Sequence, residues 1–121
     1  MDSYFFDSYA IMEIVKENPD YSNYADSNIV LTKLNIFEIF YNILIQQGEE
    51  KASEIVEEIF PYAIDFTLED IKEAAKMKLK FKERKLSMTD CIGYILAKRI
   101  GTKFLTGDKE FKDLDNVEFV K

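Results

Sequence analysis

The run LSMTDCIGYILAKRIGTKFLTGDKEF, residues 86–111, decides the fold of this chain. Ser87 stands directly before a segment in which Ile92, Ile95, Leu96 and Ile100 recur at helical spacing. A helix capped by Ser87 therefore buries one face and stops at Gly101. Residues 103–105 read as a short strand, closed by the turn Thr106-Gly107-Asp108. A helix with one apolar face that passes at once into a strand packs on a sheet. Asp90 falls in the first helical turn and Asp108 just beyond the strand. Open α/β sheets gather ligand-binding groups at the carboxyl ends of their strands, so the two carboxylates are predicted to share one cleft.

Outward from this stretch the alternation of strand and helix repeats. Tyr4-Phe5-Phe6 is a bulky strand-like run, followed by Asp7-Ser8 and a helical pattern of Ile11, Ile14 and Val15. Asp7 is either a helix cap alone or a cleft residue as well. Asn18-Pro19 breaks this helix, and Pro19 suits the first turn of a short one reaching residue 26. Residues 29–31 make a second strand. Thr32 then caps a longer helix with Ile36, Ile39, Phe40, Ile43 and Leu44 on its apolar face and Gly48 as its stop. Glu38 is the only charge between Lys33 and Glu49, among bulky apolar neighbours; unless partly solvated, it needs a donor, a cation or a metal.

The next helix, residues 49–60, carries Glu49, Glu50, Glu54, Glu57 and Glu58 as a solvated acidic face and ends at Pro61. Residues 62–66 are predicted to be a third strand, and Thr67-Leu68-Glu69-Asp70 opens another helix as a capping box. Residues 116–120 alternate as an edge strand would. The expected fold class is α/β: one domain over residues 1–121, an α/β/α sandwich around a mostly parallel five-stranded sheet.

Composition narrows the chemistry. The 121 residues suffice to bury roughly two-thirds of the unfolded surface. A lone cysteine, Cys91, excludes an internal disulfide, and the lack of histidine excludes the usual zinc sites and Ser-His or Cys-His nucleophiles. No apolar run approaches the roughly 18 residues that span a bilayer. Acids at positions 2, 7 and 13 stand where a signal peptide carries bases, so a cytoplasmic location without a membrane partner is expected. The net charge of −7 hides an asymmetry: residues 1–75 hold 16 acids and 4 bases, residues 76–121 hold 7 acids and 12 bases. Lys76, Lys78, Lys80, Lys82, Arg84 and Lys85 crowd the last turns of the helix that begins at Thr67, where they complement its dipole. Because that helix delivers the chain to Ser87, Lys80, Lys82, Arg84 and Lys85 are also candidate contacts for an RNA backbone.

Asp7, Glu38, Asp90 and Asp108 each lie at the carboxyl end of a strand or in the helix that follows one. Each has an ordinary local role open to it, as a cap, a turn residue or a solvated acid. Brought together, they would repel unless a cation neutralised them, and Mg²⁺ or Mn²⁺ suits an all-oxygen cluster. Such ions serve phosphodiester hydrolysis, orienting a water and taking the charge that develops on the phosphate.

The blocks Phe5-Phe6-Asp7-Ser8, Leu34-Asn35-Ile36-Phe37-Glu38, Leu86-Ser87-Met88-Thr89-Asp90 and Phe104-Leu105-Thr106-Gly107-Asp108-Lys109-Glu110-Phe111 resemble, in order, the four acidic blocks of a PIN domain. In length the chain is similar to the VapC-type toxins of toxin–antitoxin pairs. The resemblance implies a Mg²⁺- or Mn²⁺-dependent endoribonuclease with an RNA substrate, a partner antitoxin and a homodimeric state. It implies Asp7, Asp90 and Asp108 as direct or water-mediated metal ligands, Glu38 completing the cluster and helping to activate water, and Thr106 and Ser8 holding the ligands in place. The family often has a small hydroxyl residue two places after the first Asp, where this chain has Tyr9. A PIN-like binding or assembly module without catalysis is the alternative.

Overall fold

Adjacent residues of a strand face opposite sides of a sheet, and that alternation divides the core of this protein in two. The computed structural model describes residues 2–121. In it, β1 (Ser3–Phe6), β2 (Asn28–Val30), β3 (Lys103–Thr106) and β4 (Val117–Phe119) form one parallel sheet in the order β2-β1-β3-β4. Phe5 pairs with Phe104 and Phe6 with Leu105 in register. Phe5 and Phe104 face α4 (Leu68–Lys80) and α5 (Met88–Arg99), in a core with Met77, Ile92 and Leu96. Phe6 and Leu105 face the other side, where α1 (Ser8–Val15), α2 (Lys33–Gln47) and α3 (Glu49–Ile59) supply Ile11, Ile39, Ile43 and Ile59. Full burial of each large apolar side chain contributes roughly 1.5–3 kcal/mol. Helices thus cover both faces of the parallel sheet, as its near-continuous apolar strands require.

Helix α5 approaches the sheet closely because Gly93 lacks a side chain: a Cβ there would press on the Phe5 and Phe104 rings, which stack 5.6 Å apart. Since α5 leads into β3 and packs back along it, its first turn lies at the edge of the sheet where the strands end. Asp7 follows β1 and Asp108 follows β3 at that same edge, and α2 starts there two residues after β2.

The sheet has four strands where five are expected. Residues 62–66 do not pair as a strand; Phe60–Tyr62 forms a 3₁₀ turn, and only an isolated bridge between Ala63 and Leu31 with one bond, Ile64 N–H to the Leu31 carbonyl (2.8 Å), touches the sheet. Pro61, in the middle of that turn, has no N–H to give a ladder. A second difference concerns α4, which ends at Lys80 rather than carrying through residue 85. Lys82, Arg84 and Lys85 therefore lie in the link to α5, not on a helix.

Candidate active site

Each of the four sequence-selected acids is held by local bonds that fix its orientation. Asp7 caps α1, accepting from the Ala10 N–H at 2.7 Å, while its own N–H bonds to the Leu105 carbonyl across the sheet. Asp90 forms a capping box with Ser87, each accepting from the other's N–H at 3.0 Å. Asp108 caps the Lys109–Phe111 3₁₀ turn, accepting from the Glu110 N–H at 3.0 Å, and its N–H donates to Thr106 Oγ1 at 3.0 Å. Glu38, on the first half of α2, accepts from the Ser8 hydroxyl at 2.6 Å. That bond joins two elements 30 residues apart and supplies the donor that Glu38 needs.

Ser8 is itself held. The Asn35 side-chain amide donates to its oxygen at 3.1 Å, and Asn35 Oδ1 in turn accepts from the Thr32 hydroxyl (2.9 Å) and N–H (3.0 Å). A relay thus runs from the cap of α2 through Asn35 and Ser8 to Glu38. Asn35, fully buried, was not among the predicted site residues; its signal is the capping-box spacing Thr32-x-x-Asn35, which marks a helix start and says nothing of Ser8.

Asp7 and Asp90 each feel other members of the quartet. Asp7 is buried, which pushes its carboxyl up to about 8; the Thr106 hydroxyl and Ala10 N–H favour the charged form, while Asp90 and Asp108 oppose it. Half-buried Asp90 is raised first by desolvation and further by Glu38 and Asp108, against the restraint of its Ser87 bonds. Among the described residues none of the four acids has an ion-pair partner, whereas Asp70, Asp113 and Asp115 are paired with Arg99, Arg84 and Lys98. The cluster is acidic, with Asp7 protonated near neutral pH, and has no cation among the described residues. Among the described residues no three potential ligands close into a ready-made cage. Each acid spends a carboxylate oxygen on its local bond, and these oxygen donors suit a hard divalent ion held partly through water.

Thr106, fully buried, stands between Asp7 and Asp108 as a shared support. Tyr9, half-buried on α1, lies against the backbone of Gly107: a Cβ at that glycine would run into ring carbons Cε1 and Cζ and the Val120 carbonyl. Burial raises its phenol, with Glu13, Asp7 and Asp108 adding to the shift.

The basic candidates separate. Lys80, Lys82 and Lys85 are exposed. Arg84 grips Asp113 with both terminal nitrogens (2.8 and 2.9 Å) and donates to the Glu110 carbonyl (2.7 Å), pinning the α4–α5 link to the segment beyond Asp108. The Phe81 ring has the Lys80 ammonium 5.3 Å from its centre and the Arg84 guanidinium 4.6 Å from it. Lys78 donates to the Leu86 carbonyl at 2.6 Å, just ahead of the Ser87 cap. In the sequence it is one lysine of a run, and only its cross-turn bond distinguishes it.

A family model, that of the PIN domain, matches residues 4–117, a span that includes all four acids. The chain belongs to the PIN domain family. PIN domains are nucleases, so hydrolysis of nucleic acid is the coarse activity that goes with this site. No curated protein sequence matches the chain. Among solved structures, this PIN domain is similar to a toxin–antitoxin complex from Klebsiella pneumoniae (TM-score 0.74, 12% identity, 95% of each chain covered). It is also similar to DNA-bound VapBC from Salmonella typhimurium (0.72, 16%, 98% of this chain and 97% of that one). A third is VapBC2 from Rickettsia felis bound to a DNA fragment from its promoter (0.71, 16%, 97% and 96%). At these identities the likeness is one of fold.

Proposed function

We propose that this PIN domain is a single-domain, Mg²⁺- or Mn²⁺-dependent endoribonuclease acting in the cytoplasm as the toxin of a type II toxin–antitoxin pair. The observation that carries the reading is the quartet Asp7, Glu38, Asp90 and Asp108, in which Asp90 and Asp108 act on Asp7, Glu38 and Asp108 act on Asp90, and none has a cation among the described residues. Asp7, Asp90 and Asp108, with Glu38, would hold the metal, which when bound lowers the pKa of water and takes charge from the phosphate. Ser8 occupies one Glu38 oxygen and leaves the other to accept the proton of the attacking water. The bond from water oxygen to phosphorus forms as the bond to the 3′ oxygen breaks. Thr106 keeps Asp7 and Asp108 in fixed relation, and exposed Lys80, Lys82 and Lys85 offer contacts for flanking phosphates; Arg84, engaged with Asp113, orders the link that presents them.

Two surfaces support the partner reading. Between α1 and α3 runs a groove of about 580 Å³ lined by Ile11, Ile14, Ile55 and Ile59 together with Glu17, Glu58 and a Lys51–Glu54 pair, a net acidic lining that suits an apolar antitoxin segment carrying bases. On α2, Phe37, Tyr41, Leu44 and Ile45 form an exposed apolar stripe suited to a second copy of the chain. Among the described residues no helix is long and apolar enough to cross a membrane.

Cleavage of an end-labelled, mixed-sequence RNA with Mn²⁺ or with EDTA tests the activity, with Asp90→Asn prepared in parallel. Metal-dependent cutting that disappears in Asp90→Asn is the expected result. Equal cutting by the variant would overturn the site assignment. No cutting together with no Mn²⁺ binding would favour the non-catalytic module.

A further inference from the structure

A phosphodiester entering this cleft is an anion meeting four carboxylates, so it needs hydrogen-bond donors besides a metal. The hydroxyls already described are engaged as donors: Ser8 to Glu38, Thr106 to the Asp7 carboxyl and Ser87 to the Asp90 carboxyl. Tyr9 differs. Its hydroxyl has no partner among the described residues, and no buried polar side-chain atom lacks one, so the phenol oxygen is open to solvent. Its position is fixed. Tyr9 is two residues past Asp7 on the rigid first turn of α1, and the hydroxyl-bearing carbon Cζ is packed against Gly107, next to Asp108. The phenol thus has Glu13 of its own helix and Asp7 and Asp108, the first and last acids of the quartet, acting on it, and its ring is seated on the Gly107 backbone.

We propose that Tyr9 is a substrate-binding residue whose phenol O–H donates to a non-bridging oxygen of the RNA backbone at the cleft. The proposal rests on the nuclease reading and deepens it. A neutral donor suits this place, because a lysine there would pair with Asp7 or Asp108 and compete for the ligands. Gly107 is the matching half of the device: any side chain would displace the ring that carries the donor.

Tyr9→Phe tests the assignment, since it keeps the ring on Gly107 and removes only the hydroxyl. Two measurements are paired. Cleavage of mixed-sequence RNA with Mn²⁺ is expected to show KM raised about tenfold with kcat little changed, the loss of one charge-assisted hydrogen bond. Binding of a fluorescent single-stranded oligoribonucleotide, in the Asp90→Asn background with Ca²⁺, is expected to weaken by about the same factor. The shift of the unfolding midpoint produced by Mn²⁺ should match wild type, which shows that the metal ligands are undisturbed. Equal KM and equal binding in the Phe variant would overturn the proposal, as would loss of the Mn²⁺ shift. If wild type cleaves no RNA and binds no Mn²⁺, the nuclease reading fails by itself. The binding arm still decides Tyr9: a tenfold difference supports it, and equal or absent binding overturns it.

Discussion

The Thr67/Asp70 and Ser87/Asp90 caps are the same local device: a hydroxyl accepting from an Asp N–H, and that Asp accepting back from the cap N–H. They begin α4 and α5, which pack against each other on one face of the sheet. Their electrostatic fates are opposite. Asp70, buried, takes both a 2.8 Å bond from Arg99 Nε and a 2.9 Å bond from Arg99 Nη2, and its carboxyl is held below the usual range by that guanidinium. Asp90 has Glu38 and Asp108 near it instead, and its carboxyl is raised. The Thr32/Asn35 cap is a third version, in which an amide fills the place of the acid. Capping therefore does not require the charge. Where the charge is present it meets different company: the Arg99 guanidinium at Asp70, and the carboxyl groups of Glu38 and Asp108 at Asp90.

The widest separation between the two is expected in catalysis. Asp90→Asn should lower Mn²⁺-dependent RNA cleavage by roughly 10²–10⁴-fold, while the metal-free protein stays folded and melts no lower than wild type, because Asn maintains the cap and repulsion is relieved. Asp70→Asn should do the reverse: cleavage per folded molecule unchanged, with a lower melting midpoint as Arg99 loses its partner. A variant pair that swapped these outcomes would break the comparison.

The pH dependence sharpens it. Asp7, held up to about 8 in the fold by burial, keeps a proton that the unfolded chain releases near pH 4. The metal-free protein should therefore lose stability as pH rises from about 4 to about 8, and Asp7→Asn should remove that decline. Asp70, held low by Arg99, acts with the opposite sign: its contribution is present above its unfolded value and is lost as pH falls through its folded value. Melting midpoints measured in EDTA should fall through Asp7 as pH rises from about 4 to about 8, and through Asp70 as pH falls below about 4. Added Mn²⁺ should abolish the alkaline decline alone.

A smaller effect is expected at Lys78, whose ammonium holds the Leu86 carbonyl ahead of the Ser87 cap. Lys78→Met should reduce cleavage by about tenfold or less through looser placement of Asp90. Lys76→Met, which removes only an exposed pair with Glu73, should leave the rate unchanged. The smallest expected difference lies in the hydroxyls. Ser87→Ala and Thr67→Ala should each cost about 1 kcal/mol by chemical denaturation, yet only Ser87→Ala should slow cleavage, by a few-fold, since only its cap carries a site acid.

Much of this could be read in the sequence because caps and helical faces are written within four residues. Ser87 with Asp90, Thr67 with Asp70, the stop at Gly101 and the placing of an acid after β1 and β3 all depend on neighbours along the chain. The same local rules misjudged residues 62–66, because a strand exists only if a neighbouring strand accepts its whole ladder, and here Leu31 accepts a single bridge. They also carried the basic helix on to residue 85, although the chain leaves α4 at Lys80 and Arg84 turns to Asp113, 29 residues away.

By itself the sequence determined the helices, the four strands that do form and the placing of Asp7 and Asp108 just after β1 and β3, at the carboxyl edge that parallel strands share. The tertiary structure alone decided which acids are compensated. Arg99 reaches Asp70 across 29 residues and Ser8 reaches Glu38 across 30, while Asp7 and Asp90 are left without a cation among the described residues. Charge compensation acts through space at a few ångströms, and no spacing along a chain fixes that distance until the helices have packed.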